Sequence, residues 1–160
     1  MRIENSAFVV RERKLMYLST ISLTILIPII FLADFFNTPV LGLNRELYII
    51  GIALLYILLH LYRYWLNLNF IEAATEDNKL VFRYYSLRFF SAKHKSIEIP
   101  LADFIGFEIN QPFKGLKKSL ILFQRMKNKK AKYPPISISA LTKEQIAELE
   151  TFLKGLSKSI

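Results

Sequence analysis

Hydrophobic residues form two long runs in the first 66 positions and short alternating runs after them. The first run, residues 15–36, has Asp34 near its end as its only charged side chain. A helix of this length spans roughly 33 Å at about 1.5 Å per residue, which is enough for the hydrocarbon core of a bilayer. The run therefore predicts a transmembrane helix.

The second run, residues 47–66, predicts another transmembrane helix, with His60 and Arg63 only in its last two turns. Residues 37–46 form a short external loop that contains the turn-forming residues Pro39 and Gly42. Because this loop is short, the two helices should be antiparallel neighbours. Aromatic side chains, which prefer the headgroup level, lie near the predicted helix ends. They are Tyr17, Phe35, Phe36, Tyr48, Tyr62, Tyr64 and Trp65.

Charges beside the helices predict the topology. Residues 1–14 form a basic segment in which Arg11, Arg13 and Lys14 adjoin the first helix. In the connecting loop, Arg45 is the only basic residue. Because basic loops stay in the cytoplasm, we expect a multi-pass inner-membrane protein with both termini cytoplasmic. The three residues before the helix are then candidates for contact with the membrane surface. A cleaved signal peptide is the alternative, but the first run is too long and has no small-x-small cleavage site.

Residues 69–160 are the only stretch long enough for a folded domain, which we expect in the cytoplasm. Ile97 and Ile99 alternate with polar residues, and the same period of two recurs over 105–110 and at Ile136 and Ile138. This pattern predicts half-buried strands. Further strand-like segments are 69–74, 79–90 and 118–126, with a turn at 76–78, so we expect about six strands in an antiparallel meander.

The chain ends in a segment with strong helical signals. Thr142 followed by Gln145 is a capping box, and Leu141 and Ile146 are spaced as a hydrophobic staple. Apolar residues then recur at helical spacing, so one face of this helix should bury against the sheet. They are Ile146, Leu149, Phe152, Leu153 and Leu156.

Two spans, a strand meander, the segment 95–105 (KSIEIPLADFI) and the ending 136–153 (ISISALTKEQIAELETFL) resemble bacterial PH-like domains attached to a two-helix membrane hairpin. The resemblance covers about residues 69–156. It implies an α+β domain in which a curved antiparallel barrel is plugged at one end by the C-terminal helix, and it implies no catalytic role. The chain departs from phosphoinositide-binding PH domains at the first strand turn, where Glu76 and Asp77 replace basic residues.

The composition matches a basic membrane protein. Hydrophobic residues make up 52% of the chain and the net charge is +9, which favours anionic partners such as phospholipid headgroups. The basic residues Lys127, Lys129, Lys130 and Lys132 form a cluster between two predicted strands. This cluster is either a solubilising hairpin tip or a contact with the membrane surface. Nucleic acid is not expected as a partner, because no recognition-helix stripe is present.

Motifs for catalysis are missing from the sequence. It has no cysteine, only two histidines without metal-ligand spacing, and five glycines too scattered for a phosphate-binding loop. We therefore expect neither an enzyme nor a cofactor or metal site.

The second predicted span contains two basic side chains, His60 and Arg63, and His60 lies deeper in the span. The antiparallel hairpin is expected to place His60 beside Thr20 and Ser22 of the first helix. The first interpretation is a hydrogen bond between the helices. The second is a role in proton sensing or conduction, because ionisable groups inside membranes are often functional.

These patterns favour a non-enzymatic protein that presents a PH-like binding or scaffold module at the cytoplasmic membrane surface. One alternative is a two-span effector whose β-domain senses a ligand and drives oligomerisation, and another is an accessory subunit of a larger membrane complex. The expected partners are the bilayer with its anionic headgroups and a protein partner or membrane complex. A homo-oligomer remains open.

Overall fold

The computed structural model describes residues 2–34, 38–39, 42–88, 93–127 and 129–157. The chain divides into two compact units. The helical unit is Val10–Trp65, and the β unit combines the residues up to Val9 with those from Leu66 onward. The β unit is thus assembled from two stretches of chain that are separated by the whole helical unit.

Two long helices account for the apolar runs: α1 at Ser6–Leu32 and α2 at Arg45–Leu66. Both are long and apolar enough to cross a membrane. Helix α1 begins nine residues before the predicted span, because no proline or glycine interrupts residues 6–14. Residues 35–36, at the end of the first predicted span, and residues 37, 40 and 41 of the predicted loop lie outside the described residues.

Three contacts define how α1 and α2 pair. Glu12 lies 3.7 Å from Arg63 near one end, and Thr20 is hydrogen-bonded to Tyr56 at 3.0 Å. At the other end Arg45 donates a hydrogen bond to the carbonyl of Phe31 at 3.1 Å. Because the partner numbers fall along α2 as they rise along α1, the two helices are antiparallel neighbours.

The first sheet has four antiparallel strands in the order β1-β2-β3-β4. The strands are β1 at Arg2–Glu4, β2 at Asn69–Glu76, β3 at Lys79–Ser86 and β4 at His94–Pro100. The predicted turn at 76–78 is confirmed, since Asp77 and Asn78 both have positive φ angles, of 45° and 60°. Such angles suit a two-residue hairpin turn, and Asp and Asn tolerate them well. Strand β1 was not predicted from the sequence.

The second sheet is built around β6 at Ser119–Met126, which pairs with β5, β7 and β8. The other strands are β5 at Phe104–Asn110, β7 at Lys129–Lys132 and β8 at Ile136–Ser137. The alternation over residues 105–110 predicts that Ile105 faces the core. This prediction is wrong, because a register shift between Phe104 and Gly106 turns Phe104 into the core and leaves Ile105 exposed.

Helix α3, at Lys143–Ser157, follows the sheets and is capped as predicted. The Thr142 N–H donates to Oε1 of Gln145 at 3.1 Å, and the Gln145 N–H donates to Oγ1 of Thr142 at 3.2 Å. Its predicted apolar stripe is buried at Ile146, Leu149, Phe152 and Leu153, and Leu156 packs partly buried against the core. The helix packs against β5 and β1.

One hydrophobic core joins both sheets and α3. Its fully buried large side chains include Phe82, Leu80 and Ile99 of the first sheet and Leu120 and Leu122 of the second. The fold is therefore α+β, with apolar helices, antiparallel sheets and a C-terminal helix. The described strands form two separate sheets and do not close into the barrel that the resemblance to PH-like domains implies.

Candidate functional site

A buried asparagine joins the N-terminal strand to β2. Asn5 is 1% exposed, and its Nδ2 donates to the carbonyl of Asn69 at 3.0 Å while its Oδ1 accepts from the Ile71 N–H at 2.8 Å. The backbone N–H of Asn5 also donates to the carbonyl of Ile71, at 3.3 Å. Because both ends of the amide are satisfied, its burial does not incur the penalty of an unpaired polar group.

Two further buried polar residues continue this network. Nδ2 of Asn69 donates to the carbonyl of Ser137 at 3.2 Å, and Oγ of Ser137 donates to the carbonyl of Leu66 at 3.2 Å. Leu66 is the last residue of α2, and Asn5 directly precedes α1. We call Asn5, Asn69 and Ser137 the polar junction. Its hydrogen bonds connect the residue before α1 and the last residue of α2 to strands β2 and β8 of the β unit.

Helix α3 is tied to the same strand. Nε2 of Gln145 donates to the carbonyl of Glu4 at 3.3 Å, in addition to its part in the capping box. The Val9 N–H donates to the carbonyl of Asn5 at 3.1 Å, which continues the chain into the first turn of α1. A displacement of β1 would therefore break hydrogen bonds on both of its sides, to β2 and to α3.

Charged side chains form ion pairs across the first sheet, centred on the buried Glu72. Oε1 of Glu72 lies 3.1 Å from Nε of Arg2 and 3.4 Å from Nη1 of Arg83. The guanidinium of Arg83 also donates two hydrogen bonds to the carboxylate of Glu76, at 2.7 and 3.0 Å. The hydrogen bond from Arg83 lowers the pKa of Glu76, and the same bond raises the pKa of Arg83. The guanidinium of Arg83 is thus already matched by two carboxylates.

The predicted lysine cluster lies on the β6–β7 hairpin. Lys129, Lys130 and Lys132 are exposed on β7, and Lys127 is exposed at the turn with a φ of 43°. Nζ of Lys130 lies 3.9 Å from the ring centroid of Phe123, a cation–π contact with the neighbouring strand. The structure thus brings these four residues to one hairpin, and their contact with a membrane stays a prediction.

The other predicted surface residues, Arg11, Arg13 and Lys14, are exposed on α1 within the helical unit. Glu12, which lies between them, turns towards Arg63 of α2. The sequence predicts a basic segment over residues 1–14, and in the structure residues 2–14 form β1, Asn5 and the first turns of α1.

The structure brings together some of the residues of the predicted polar contact between the helices. Oγ1 of Thr20 is hydrogen-bonded to the hydroxyl of Tyr56, one helical turn before His60, and Ser22 is half-buried on α1. The rings of His60 and Tyr56 are in tilted contact, with centroids 4.0 Å apart, and Nδ1 of His60 is 3.0 Å from the carbonyl of Tyr56. The helices pair in a register that places Thr20 opposite Tyr56. Nε2 of His60 is buried and has no hydrogen-bond partner among the described residues.

Residues that sequence reasoning missed had weak local signals. The three-residue alternation of Arg2, Ile3 and Glu4 is too short to identify a strand. Asn5 before an uninterrupted helical stretch is a plausible N-cap, but nothing local reveals its partners 64 and 66 residues away. Tyr56 reads as one more apolar residue of a span.

Among the described residues, no group of three or more His, Cys, Asp or Glu side chains could hold a metal ion. Comparisons with protein-family models, with curated proteins and with solved structures found no match to this chain.

Proposed function

We propose that this chain is a non-enzymatic inner-membrane protein whose α1–α2 hairpin anchors a PH-like binding or scaffold module at the cytoplasmic surface. Its proposed partners are anionic phospholipid headgroups and a protein partner or membrane complex. The proposal is supported by the fold of the β unit, by the exposure of the apolar helices and by the way in which the two are joined along the chain.

The pairing of β1 with β2 is the observation that carries the proposal. Strand β1 precedes α1 and strand β2 follows α2, so both ends of the helical unit are held in one sheet. If both helices cross a bilayer, the N-terminus and the β unit must lie on the same side of it. The basic residues Arg11, Arg13 and Lys14 favour the cytoplasm as that side, because Arg45 is the only basic residue of the connecting loop.

The exposure of the helices supports a membrane environment. A core helix of a water-soluble protein would be mostly buried, yet none of the apolar window of α2 and only 6% of that of α1 is buried. Apolar surface of this extent requires a lipid or protein partner. A cleaved signal sequence is disfavoured, because cleavage after α1 would also remove β1 from the sheet.

The surface of the β unit favours a scaffold over a phosphoinositide receptor. The first strand turn has Glu76 and Asp77, and the nearby Arg83 is engaged by Glu76 and Glu72. A phosphorylated headgroup would have to compete with those carboxylates for the guanidinium. A less specific membrane surface or a protein partner fits these charges better.

The polar junction supports one alternative, a two-span effector whose β unit responds to a ligand and changes the association of the hairpin. Asn5, Asn69 and Ser137 hold the residues flanking both helices through buried hydrogen bonds. In this alternative, a rearrangement at β2 or β8 changes the hydrogen bonds of the residues that adjoin the start of α1 and the end of α2. Ligand-dependent oligomerisation of the full chain would favour this effector over a static scaffold.

Single cysteines test the anchored topology, and the chain has no native cysteine to interfere. In intact cells an impermeant maleimide should label Asn44→Cys, in the loop before α2, and should label Ser157→Cys only after lysis. The unmodified chain is the control for background labelling. Labelling of Ser157→Cys but not Asn44→Cys would reverse the orientation, and equal labelling of both in intact cells would contradict the hairpin.

A further inference from the structure

The loop between β5 and β6 lies at the end of the β unit where the polar junction is found. Ser119, the first residue of β6, pairs with Ser137, whose hydroxyl donates to the carbonyl of Leu66. Met126 and the turn at Lys127 are at the other end of the same strand, about 23 Å away at roughly 3.3 Å per residue. The two ends of β6 are therefore distinct surfaces.

Two large apolar side chains are exposed in this loop. Phe113 is 61% exposed and Leu116 is 57% exposed. Phe113 has a φ of 56°, a left-handed conformation that is uncommon for an aromatic residue. The larger of the two exposed side chains, that of Phe113, is therefore presented by a strained backbone conformation.

The same end of the β unit is basic. Residues 111–118 contain three lysines and no acidic residue. The neighbouring connection between β3 and β4 adds Arg88 and Lys93, which are exposed, and residues 87–93 also contain no acidic residue. The backbone N–H of Leu87 donates to the carbonyl of Leu68 at 2.9 Å, which places this connection next to the start of β2.

Hydrogen bonds fix the base of the loop. The Lys118 N–H donates to Oγ of Ser139 at 2.9 Å, and the carbonyl of Lys118 accepts from the Ile138 N–H at 2.9 Å. Within the loop, the Leu116 N–H donates to the carbonyl of Phe113 at 3.1 Å. The apolar tip is therefore presented by a pre-organised turn, so less conformational entropy is lost when it binds a surface.

We propose that the loop of residues 111–118 docks into the anionic headgroup layer of the membrane that α1 and α2 cross, with Phe113 and Leu116 inserted and Lys117 and Lys118 facing lipid phosphates. Exposed apolar groups beside lysines match an interface that is apolar below and anionic above. Leu66, the last residue of α2, accepts a hydrogen bond at the polar junction, so this is the end of the β unit that the chain joins directly to α2. The inference rests on the proposed membrane anchoring and places the headgroup contact at this loop instead of at the lysine cluster on the β6–β7 hairpin.

Fluorescence quenching in nanodiscs tests the docking with the full chain. A bimane label is placed at Leu116→Cys, and quencher-bearing lipids report its contact with the bilayer. Met126→Cys is the matched control, because Met126 is also an apolar side chain at 57% exposure but lies at the other end of β6. We expect strong quenching at residue 116 and little at residue 126 in anionic nanodiscs, and weaker quenching at residue 116 in neutral ones.

A third label separates the failure of this inference from the failure of the anchoring. Leu26→Cys lies within α1 and should be quenched by lipid in every nanodisc if the helix spans the bilayer. Quenching at residue 26 without quenching at residue 116 would overturn the docking and leave the loop as a surface for a protein partner. No quenching at residue 26 would overturn the anchoring and the docking together.

Charge variants test the role of the lysines. Lys117→Gln with Lys118→Gln should lower the ratio of docked to undocked loop by up to about thirtyfold, since each lysine near an anionic surface contributes roughly fivefold. The matched pair Lys129→Gln with Lys130→Gln should leave quenching at residue 116 unchanged. An equal loss from both pairs would show only general charge attraction and would contradict a specific loop contact.

Discussion

Oδ1 of Asn5 accepts a hydrogen bond from the backbone N–H of Ile71 at 2.8 Å, although the two residues are 66 positions apart and both apolar helices lie between them in the sequence. The β unit is therefore discontinuous, with the helical unit inserted between its first and second strands. Strand β1 covers the edge of β2, which would otherwise expose unpaired backbone groups. A fragment that begins at β2 lacks this strand.

This arrangement has a consequence for folding. Strand β1 is made first, but its partner β2 follows about 65 residues later in the chain. The first sheet is completed only after both helices have been synthesised. Assembly of the first sheet therefore depends on synthesis of the whole helical unit.

The substitution Asn5→Ala should destabilise the β unit by about 2 to 4 kcal/mol. It removes a buried donor and acceptor and leaves the Ile71 N–H and the Asn69 carbonyl without the side-chain partner that they have in the native fold. Chemical unfolding of the full chain in detergent, followed by circular dichroism, measures the difference.

The control for this substitution is Asn110→Ala, the same change at an exposed position at the end of β5. Surface substitutions of this type usually alter stability by no more than about 0.5 kcal/mol. Equal losses for the two variants would show that the polar junction contributes nothing specific.

Loss of the N-cap at Thr142→Ala should cost about 0.5 to 2 kcal/mol of unfolding free energy, because the Gln145 N–H loses its acceptor. Thr151→Ala, at an exposed position within α3, should be close to neutral, since alanine is the better helix former. Thermal unfolding of both variants distinguishes them. A loss at Thr151 as large as that at Thr142 would argue against the capping box as the cause.

The ion pair of Glu76 with Arg83 should make stability depend on pH in the acid range. The pKa of Glu76 is lowered in the folded state from its ordinary value of 4.5, so its contribution is complete above that value and is lost as the pH falls through the folded-state pKa. Glu76→Gln should therefore reduce the slope of melting temperature against pH below about pH 5.

A double variant provides the control for this pH effect. In the Arg83→Gln background, Glu76→Gln should change the slope much less, because the carboxylate has already lost the partner that lowers its pKa. Glu144 retains part of the slope in every variant, since hydrogen bonds from its own backbone N–H and from Thr142 lower its pKa. An identical slope with and without Glu76 would contradict this assignment.

Local signals made several elements predictable from the sequence. Thr142 and Gln145 form the capping box within four residues, and the stripe from Ile146 to Leu153 follows from helical periodicity. The turn at Asp77 and Asn78 was predictable for the same reason, because these residue types favour positive φ angles.

Features that depend on distant partners could not be predicted in this way. Strand β1 has only three residues and is defined by its register with β2. The exposure of Ile105 follows from a register shift in pairing with β6, which periodicity alone does not reveal. The contact of Thr20 with Tyr56 depends on how far the two helices slide past each other.

The pairing of β1 with β2 across the inserted hairpin is the central claim, and a cysteine cross-link tests it most directly. Arg2 and Ala74 are register partners, so Arg2→Cys with Ala74→Cys should form an intramolecular disulfide in membranes after mild oxidation. The control, Arg2→Cys with Thr75→Cys, is offset by one residue, which places the second thiol on the opposite face of the sheet. Loss of both free thiols for the first pair but not for the second, counted by the gel shift of maleimide-polyethylene glycol, is the predicted result. Two free thiols in the first pair after oxidation would contradict the account.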